Sequence, residues 1–253
     1  MNSNTVNINT PSQQKKFVLV HGAWQAPYAW EMVKQDLLKA GYLVTVVQLP
    51  GHGHDGTAHH SLHMESYITY VTAAITAIGS KVILAGHSMA GMIISGVAEQ
   101  IPDLIEKLVY IAAYVPVSGQ SAYSLSLLDQ QSLLGASLLV SEDQSEFDIK
   151  REDIATIFCQ DGSDEVKQMI LKNYRSEPAA PFADPVILTD ENFGSVTKYY
   201  VETLLDQGIG NILQKQMIAA AAIKNVYEMN TGHTPSLSNP AALSTILTKI
   251  GQD

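Results

Sequence analysis

The segment Gly86-His87-Ser88-Met89-Ala90-Gly91 holds the residues best suited to do chemistry. A serine between small residues at this spacing fits a nucleophile elbow, a tight strand-to-helix turn that exposes the hydroxyl at a helix N-terminus. Gly86 and Ala90 flank Ser88 where strand and helix must pass closely. Ala90 departs from the strict G-x-S-x-G form by one methyl, and Gly91 follows it. A serine hydroxyl needs a base to take its proton and a third group to orient that base. In elbow-bearing sheets the acid and then the histidine follow the serine along the chain.

Of eight histidines, only His233 lies beyond the elbow, in the loop Asn230-Thr231-Gly232-His233-Thr234-Pro235. His87 adjoins the nucleophile, but the elbow turn sends neighbouring side chains in different directions, which excludes it as the base. The late acids are Asp184, Asp190 and Asp206, with Glu202 in reserve on a strand. Asp206 is preferred, because it follows the run Lys198–Thr203 and lies 27 residues before His233. An oxyanion hole needs two backbone N–H groups, one after the nucleophile and one from the loop after an earlier strand. Met89 supplies the first. In His21-Gly22-Ala23-Trp24, Ala23 is the preferred second donor and Trp24 the alternative.

The elements that must position these residues can be read from periodicity. Short apolar runs at Lys16–Val20, Tyr42–Val47, Lys81–Ala85, Lys107–Ala112, Lys198–Val201 and Asn225–Met229 read as strands. Helical spacing separates them, as in Tyr28–Ala40 and in the stripe Met64, Ile68, Val71 and Ile75 behind an N-cap at Ser61. Strands that are apolar throughout and alternate with helices predict a parallel sheet covered on both faces. The alternation lapses over residues 115–185, where amphipathic segments without a clear strand predict a helical cap inserted into one α/β domain of residues 16–253.

With 46% hydrophobic residues the chain can bury a large core, and a net charge of −10 without a basic stripe argues against nucleic acid or an anionic membrane as partner. The single Cys159 excludes an internal disulfide and a C-x-x-C site, which fits a reducing cytoplasm. Residues 1–15 form a polar leader without the apolar core of a signal peptide. No cofactor is expected, the partner is a small-molecule ester, and a homodimer is left open.

Together these motifs resemble a branch of the α/β-hydrolases that holds plant methyl esterases, hydroxynitrile lyases and related bacterial esterases. The resemblance rests on Phe17–Trp24, the Gly86–Gly91 elbow, Tyr199–Thr203 leading to Asp206, and Gly232-His233-Thr234-Pro235 with Ser238-Asn239-Pro240. It implies the α/β-hydrolase fold and a serine ester hydrolase working through Ser88, Asp206 and His233. The lyases of that branch carry a threonine in the first oxyanion loop and a lysine after the histidine. Here Gly22 and Thr234 stand in those places, and both favour the esterase.

Two rival readings remain. His52-Gly53-His54-Asp55-Gly56 with His59, His60 and His63 suggests the H-x-H-x-D-H zinc site of metallo-β-lactamase-like hydrolases. Asp55 falls one place too early for it, and Gly56 occupies the position the acid would need. The other rival is a hydrolase-fold binding protein that has lost catalysis, but such proteins typically lack a triad member.

Overall fold

The computed structural model describes residues 14–253, so most of the leader expected over residues 1–15 lies outside the described residues. The central strands are β1 (Lys16–Val20), β2 (Leu43–Val47), β3 (Val82–His87) and β4 (Ile105–Ile111). They pair in parallel with β8 (Lys198–Thr203) and β9 (Asn225–Met229) in the order β2-β1-β3-β4-β8-β9. Alternate strand residues face opposite sides. Val18, Val20, Leu84, Leu108 and Tyr110 pack against Ile68 and Val71 of α2 (Met64–Ile78) and Ile93, Ile94 and Val97 of α3 (Ala90–Gln100). Phe17, Leu19, Ile83, Val109 and Ile111 pack against Val33 and Leu37 of α1 (Glu31–Lys39) and the C-terminal helix Pro240–Gln252. Each of these larger aliphatic side chains contributes roughly 1.5–3 kcal/mol on full burial.

The order of the strands decides where chemistry can occur. From β1 the chain crosses outward to β2, then returns to β3 on the other side of β1. At such a reversal the loops leaving the two strands diverge and open a crevice at the strands' C-terminal ends. Val20 pairs with Gly86, so the loop after β1 and the elbow after β3 leave the sheet side by side. The pairs Ile111 with Val201 and Val201 with Tyr227 bring the loops after β8 and β9 to the same edge.

The segment between β4 and β8 contains the helices α4 (Ala122–Ser126), α5 (Leu134–Ser137), α6 (Ile154–Cys159), α7 (Asp164–Asn173) and α8 (Ala180–Ala183). It also holds an antiparallel sheet of β5 (Leu138–Val140), β6 (Glu146–Ile149) and β7 (Glu177–Pro178), which the sequence reading of residues 115–185 as helical did not foresee. Strands this short give too few alternations for a period of two to show. The expected N-cap at Ser61 is also displaced. Ser61 closes a 3-10 turn through Ala58 O, and α2 starts after His63, whose N–H donates to Ser66 Oγ at 3.1 Å. Helix α9 (Asn211–Ala220), the short α10 (Pro235–Ser238) and α11 (Pro240–Gln252) complete the described chain, in which no helix is long and apolar enough to cross a membrane.

At the crossing of β3 and α3 the expected close contact is present, and a further one involves the chain just beyond β4. Gly86 lies against the Ala90 backbone as anticipated, but the second crowded position is Gly91, where a Cβ would run into the Tyr114 carbonyl. Ala90 is fully buried and accommodated. Gly91→Ala is therefore expected to destabilise the protein by about 3 kcal/mol, lowering Tm by roughly 6–12 °C in a thermal melt, whereas Ala90→Gly costs about 1 kcal/mol.

Candidate active site

Ser88 sits between β3 and α3 at φ +57°, in the left-handed region that side-chain-bearing residues rarely occupy. The turn is held on both sides. Its N–H donates to Ile111 O at 3.3 Å, and its carbonyl accepts from the N–H groups of Gly91 and Tyr114, both at 3.1 Å. The side chain projects from the C-terminal edge of the sheet, and Ser88 is 8% exposed.

His233, in the loop after β9, approaches Ser88 with Nε2 at 3.0 Å from Oγ. Its Nδ1 lies 2.9 Å from both carboxylate oxygens of Asp206, in the loop after β8. A proton on Nδ1 serves Asp206 and leaves the Nε2 lone pair free to accept from the Ser88 hydroxyl. Asp206 is itself fixed by four further donors. Gly208 N–H and Ile209 N–H reach Oδ1 at 2.8 Å, and Thr203 Oγ1 at 2.8 Å and Gln214 Nε2 at 3.1 Å reach Oδ2. Gln214, fully buried on α9, also donates to Ile209 O and accepts from Thr203 N–H, tying the loop to its helix.

His87 is placed behind His233. Its Nε2 donates to the carbonyl of His233 at 2.8 Å, and the ring centroids are 4.8 Å apart. Burial, and then the neighbouring His233, push its pKa well below the ordinary histidine value, so it stands as a neutral donor. His21 is also neutral: burial and then His52 lower it to about 3, and its Nε2 accepts from Leu49 N–H at 3.2 Å.

The amides expected to form an oxyanion hole lie on either side of Ser88. Met89 N–H is at the N-terminal end of α3, and Ala23 N–H is in the loop after β1. Among the described residues neither has an acceptor within the protein. Trp24, the alternative donor, is already engaged: its N–H donates to Glu177 Oε2 at 2.7 Å.

The other acids and histidines go elsewhere. Asp184 accepts from His63 Nδ1 at 2.9 Å and from Met64 N–H at 3.0 Å. Asp190 lies beside Gly194, and Glu202 accepts from Asn211 Nδ2. His52 pairs with Glu177 at 2.8 Å, and His59 lies 3.1 Å from Glu146. Among the described residues no group of three or more His, Cys, Asp or Glu is placed to hold a metal ion.

A cavity of about 300 Å³ adjoins this arrangement, lined by Trp24, Tyr114, Leu127, Leu134, Phe147 and Phe182 among others. Trp24 follows Ala23 in the chain and Tyr114 N–H binds Ser88 O, so the cavity opens beside the elbow. Of the cap leucines, Leu127, Leu134 and Leu138 line it. Leu125 and Ile157 are core, while Leu128, Leu133 and Leu139 are exposed. Larger cavities lie away from the elbow.

Sequence reasoning overlooked Gln214, the part played by His87, and Gly208. A Cβ on Gly208 would come within 2.8–3.0 Å of the His233 ring. Gly208→Ala is expected to push the ring off line and lower kcat by about 10²-fold with Tm nearly unchanged. Steady-state kinetics paired with a thermal melt checks this, and an unchanged kcat would show that the ring has room to spare.

Comparison with known proteins follows the same outline. Methylesterase 7 of Arabidopsis thaliana is 28% identical over 254 residues, covering 94% of this chain and 97% of that protein. A chloroplastic protein of the same plant, provisionally named methylesterase 11, is 30% identical over 93% of this chain. The chain spans 64% of the length of that relative and 57% of the length of the similarly named methylesterase 13. Polyneuridine aldehyde esterase superposes with a TM-score of 0.85 at 24% identity, over 94% of this chain and all of that one. Tomato methylketone synthase I, solved with 2-tridecanone, gives 0.85 at 20% identity over 95% of this chain and 99% of that one. At these identities the two structures show the shared fold alone. The alpha/beta hydrolase family matches residues 17–246, nearly the whole described chain, and the protein belongs to that family.

Proposed function

We propose that this chain hydrolyses carboxylic esters of small to medium size with a hydrophobic acyl or alcohol part, through an acyl-enzyme on Ser88. The observation that carries this reading is the unbroken hydrogen-bond line from Ser88 Oγ through His233 to Asp206, at 3.0 and 2.9 Å. The names of the methylesterase and esterase relatives support ester hydrolysis independently of that geometry.

In this reading His233 takes the Ser88 proton as Oγ attacks the ester carbonyl. The developing oxyanion receives the N–H groups of Ala23 and Met89. His233 then gives its proton to the departing alcohol. Water, deprotonated by the same imidazole, attacks the acyl-enzyme and releases the carboxylic acid and free Ser88. Asp206 keeps Nδ1 protonated and stabilises the imidazolium in both half-reactions. The apolar cavity walled by Trp24, Phe147 and Phe182 would receive the hydrophobic part of the substrate.

The positions that separate esterases from lyases in the branch resembled here support the same side. Gly22 has no room for a threonine, since a Cβ there would lie 2.8 Å from Ser88 Cβ and 2.9 Å from His87 Nδ1. Thr234, where a lysine would stand, is fully buried and accepts from Gln25 Nε2 at 3.1 Å. A lysine there would place its ammonium at a position that is now fully buried, which is costly unless the charge is paired.

The expected result with p-nitrophenyl esters of increasing acyl length is turnover that a chelator leaves unchanged and that drops when the acyl group outgrows the cavity. Ser88→Ala should lower kcat by a factor on the order of 10⁶. A variant retaining most of the activity would refute Ser88 as nucleophile, and loss of activity with chelator would redirect attention to the histidine loop.

A further inference from the structure

We propose that Glu177, carried by the cap strand β7, is a positioning residue for the oxyanion hole, aiming the Ala23 amide by anchoring the next amide, Trp24 N–H. The inference rests on the reading of Ser88 as nucleophile with Ala23 and Met89 as oxyanion donors.

Glu177 is fully buried, an uncommon place for a carboxylate without a task. Its Oε2 accepts from Trp24 N–H at 2.7 Å and from His52 Nε2 at 2.8 Å, while among the described residues Oε1 has no hydrogen-bond partner. The residue lies 153 positions from Trp24 and 125 from His52, so the contact exists only when the cap is seated on the sheet. Trp24 is held at φ +58°, a conformation that needs outside support in a residue with a large side chain. Fixing the plane of the Ala23–Trp24 peptide restricts the rotation of Ala23, and with it the direction of the Ala23 N–H. A second contact from the cap, Trp24 Nε1 to Phe147 O at 3.1 Å, holds the side chain of the same residue.

His52 is the counter-charge. Its Nδ1 lies 2.9 Å from Pro50 O and its Nε2 2.8 Å from Glu177, so both ring nitrogens donate, as only an imidazolium can. Burial works against that charge, but Glu177, through its charge and its hydrogen bond, turns the net shift upward, with smaller help from Asp55. The other titratable groups against the ring are His21, neutral with its pKa lowered to about 3, and Tyr67, whose phenol burial raises. Neither supplies a competing charge. A raised folded-state value means that the pair is intact below the ordinary histidine range and is lost as pH rises through the His52 value.

The test uses the full chain and three variants, Glu177→Ala, Glu177→Asp and Glu177→Gln. Reactive Ser88 is counted with a fluorophosphonate, and kcat and KM are measured per labelled site. Binding of a trifluoromethyl ketone reports on the tetrahedral geometry. Glu177→Ala is expected to lower kcat by about 10²-fold, with KM within twofold and the ketone's Ki rising in parallel. Glu177→Asp keeps the charge but withdraws the oxygen from Trp24, and should behave like the alanine variant. Glu177→Gln keeps an acceptor at the same reach and should stay within about tenfold of wild type.

In the wild type, kcat should also decline at alkaline pH as His52 loses its proton, a limb absent from Glu177→Gln. If Glu177→Ala does not fold, the Asp and Gln pair decides alone. Unchanged Ki with Glu177→Asp, or losses confined to the labelled fraction, would overturn the proposal. A wild-type serine that takes no label removes both the nucleophile reading and this one, whereas full labelling with indifferent Glu177 variants removes only the latter.

Discussion

Ser88 at φ +57° is the constraint around which the rest is arranged. An L-residue in that conformation costs about 1–2 kcal/mol and persists only where its surroundings over-determine it. Here the parallel register does so. Ile111 at the end of β4 accepts the Ser88 N–H, Tyr114 just beyond it donates to the Ser88 carbonyl, and Gly91 closes the turn from the helix side. A one-residue slip of β3 against β4 would lose the first two of these bonds and turn the hydroxyl away from the crevice. Strand pairing therefore fixes the fold and aims the hydroxyl by the same hydrogen bonds.

The crevice is then furnished from connections far apart in sequence, each tied down by hydrogen bonds. The cap supplies many of these. Asp129 accepts from Gly210 N–H and Gln131 from Ile212 N–H, bracing the loop that wraps Asp206. Asp161 accepts from Gly232 N–H, next to His233, and Gln160 donates to Leu205 O, next to Asp206. Each is a polar side chain reaching a backbone group that the turn would otherwise leave without a partner in the protein. The insertion thus works as a brace across the loops after β1, β8 and β9, as well as a wall of the cavity.

How far all this could be read from the sequence depended on the range of the signal. Ser88 and His233 were legible because a serine between small residues at a strand end is a local pattern and because one histidine remained downstream. The strands Lys16–Val20 and Asn225–Met229 were legible to the residue from their apolar runs. Asp206 was separable from Asp184 only by the strand before it, and the preference for Ala23 over Trp24 rested on loop position alone, the engagement of the Trp24 N–H by Glu177 being visible only in the fold. Gln214 could have been suspected from its place between Leu213 and Met217 on a buried helix face. Glu177 could not, because nothing in the residues around Glu177 and Pro178 indicates a carboxylate that will meet Trp24 across 153 residues. The cap hairpin was missed for want of length, and the crowding at Gly91 because it depends on Tyr114, a neighbour only in space.

The fold itself does not select the chemistry, since an esterase and a methylketone synthase superpose on this chain equally well at a TM-score of 0.85. Selection has to come from a few backbone positions around the serine. The two amides proposed to hold the oxyanion each adjoin a residue in the left-handed region, Ala23 beside Trp24 at φ +58° and Met89 beside Ser88 at φ +57°. Neither of those residues is a glycine, so neither conformation comes free, and each is held by an identifiable contact: Glu177 for Trp24, and the end of β4 for Ser88. Between them Gly22 leaves no space for a side chain that could place a hydroxyl beside the serine. With the Ala23 and Met89 amides as the proposed donors and the apolar side chains of Trp24, Phe147 and Phe182 beside them, the opening suits a carbonyl oxygen that gains charge better than an alcohol that must be oriented by hydrogen bonds of its own.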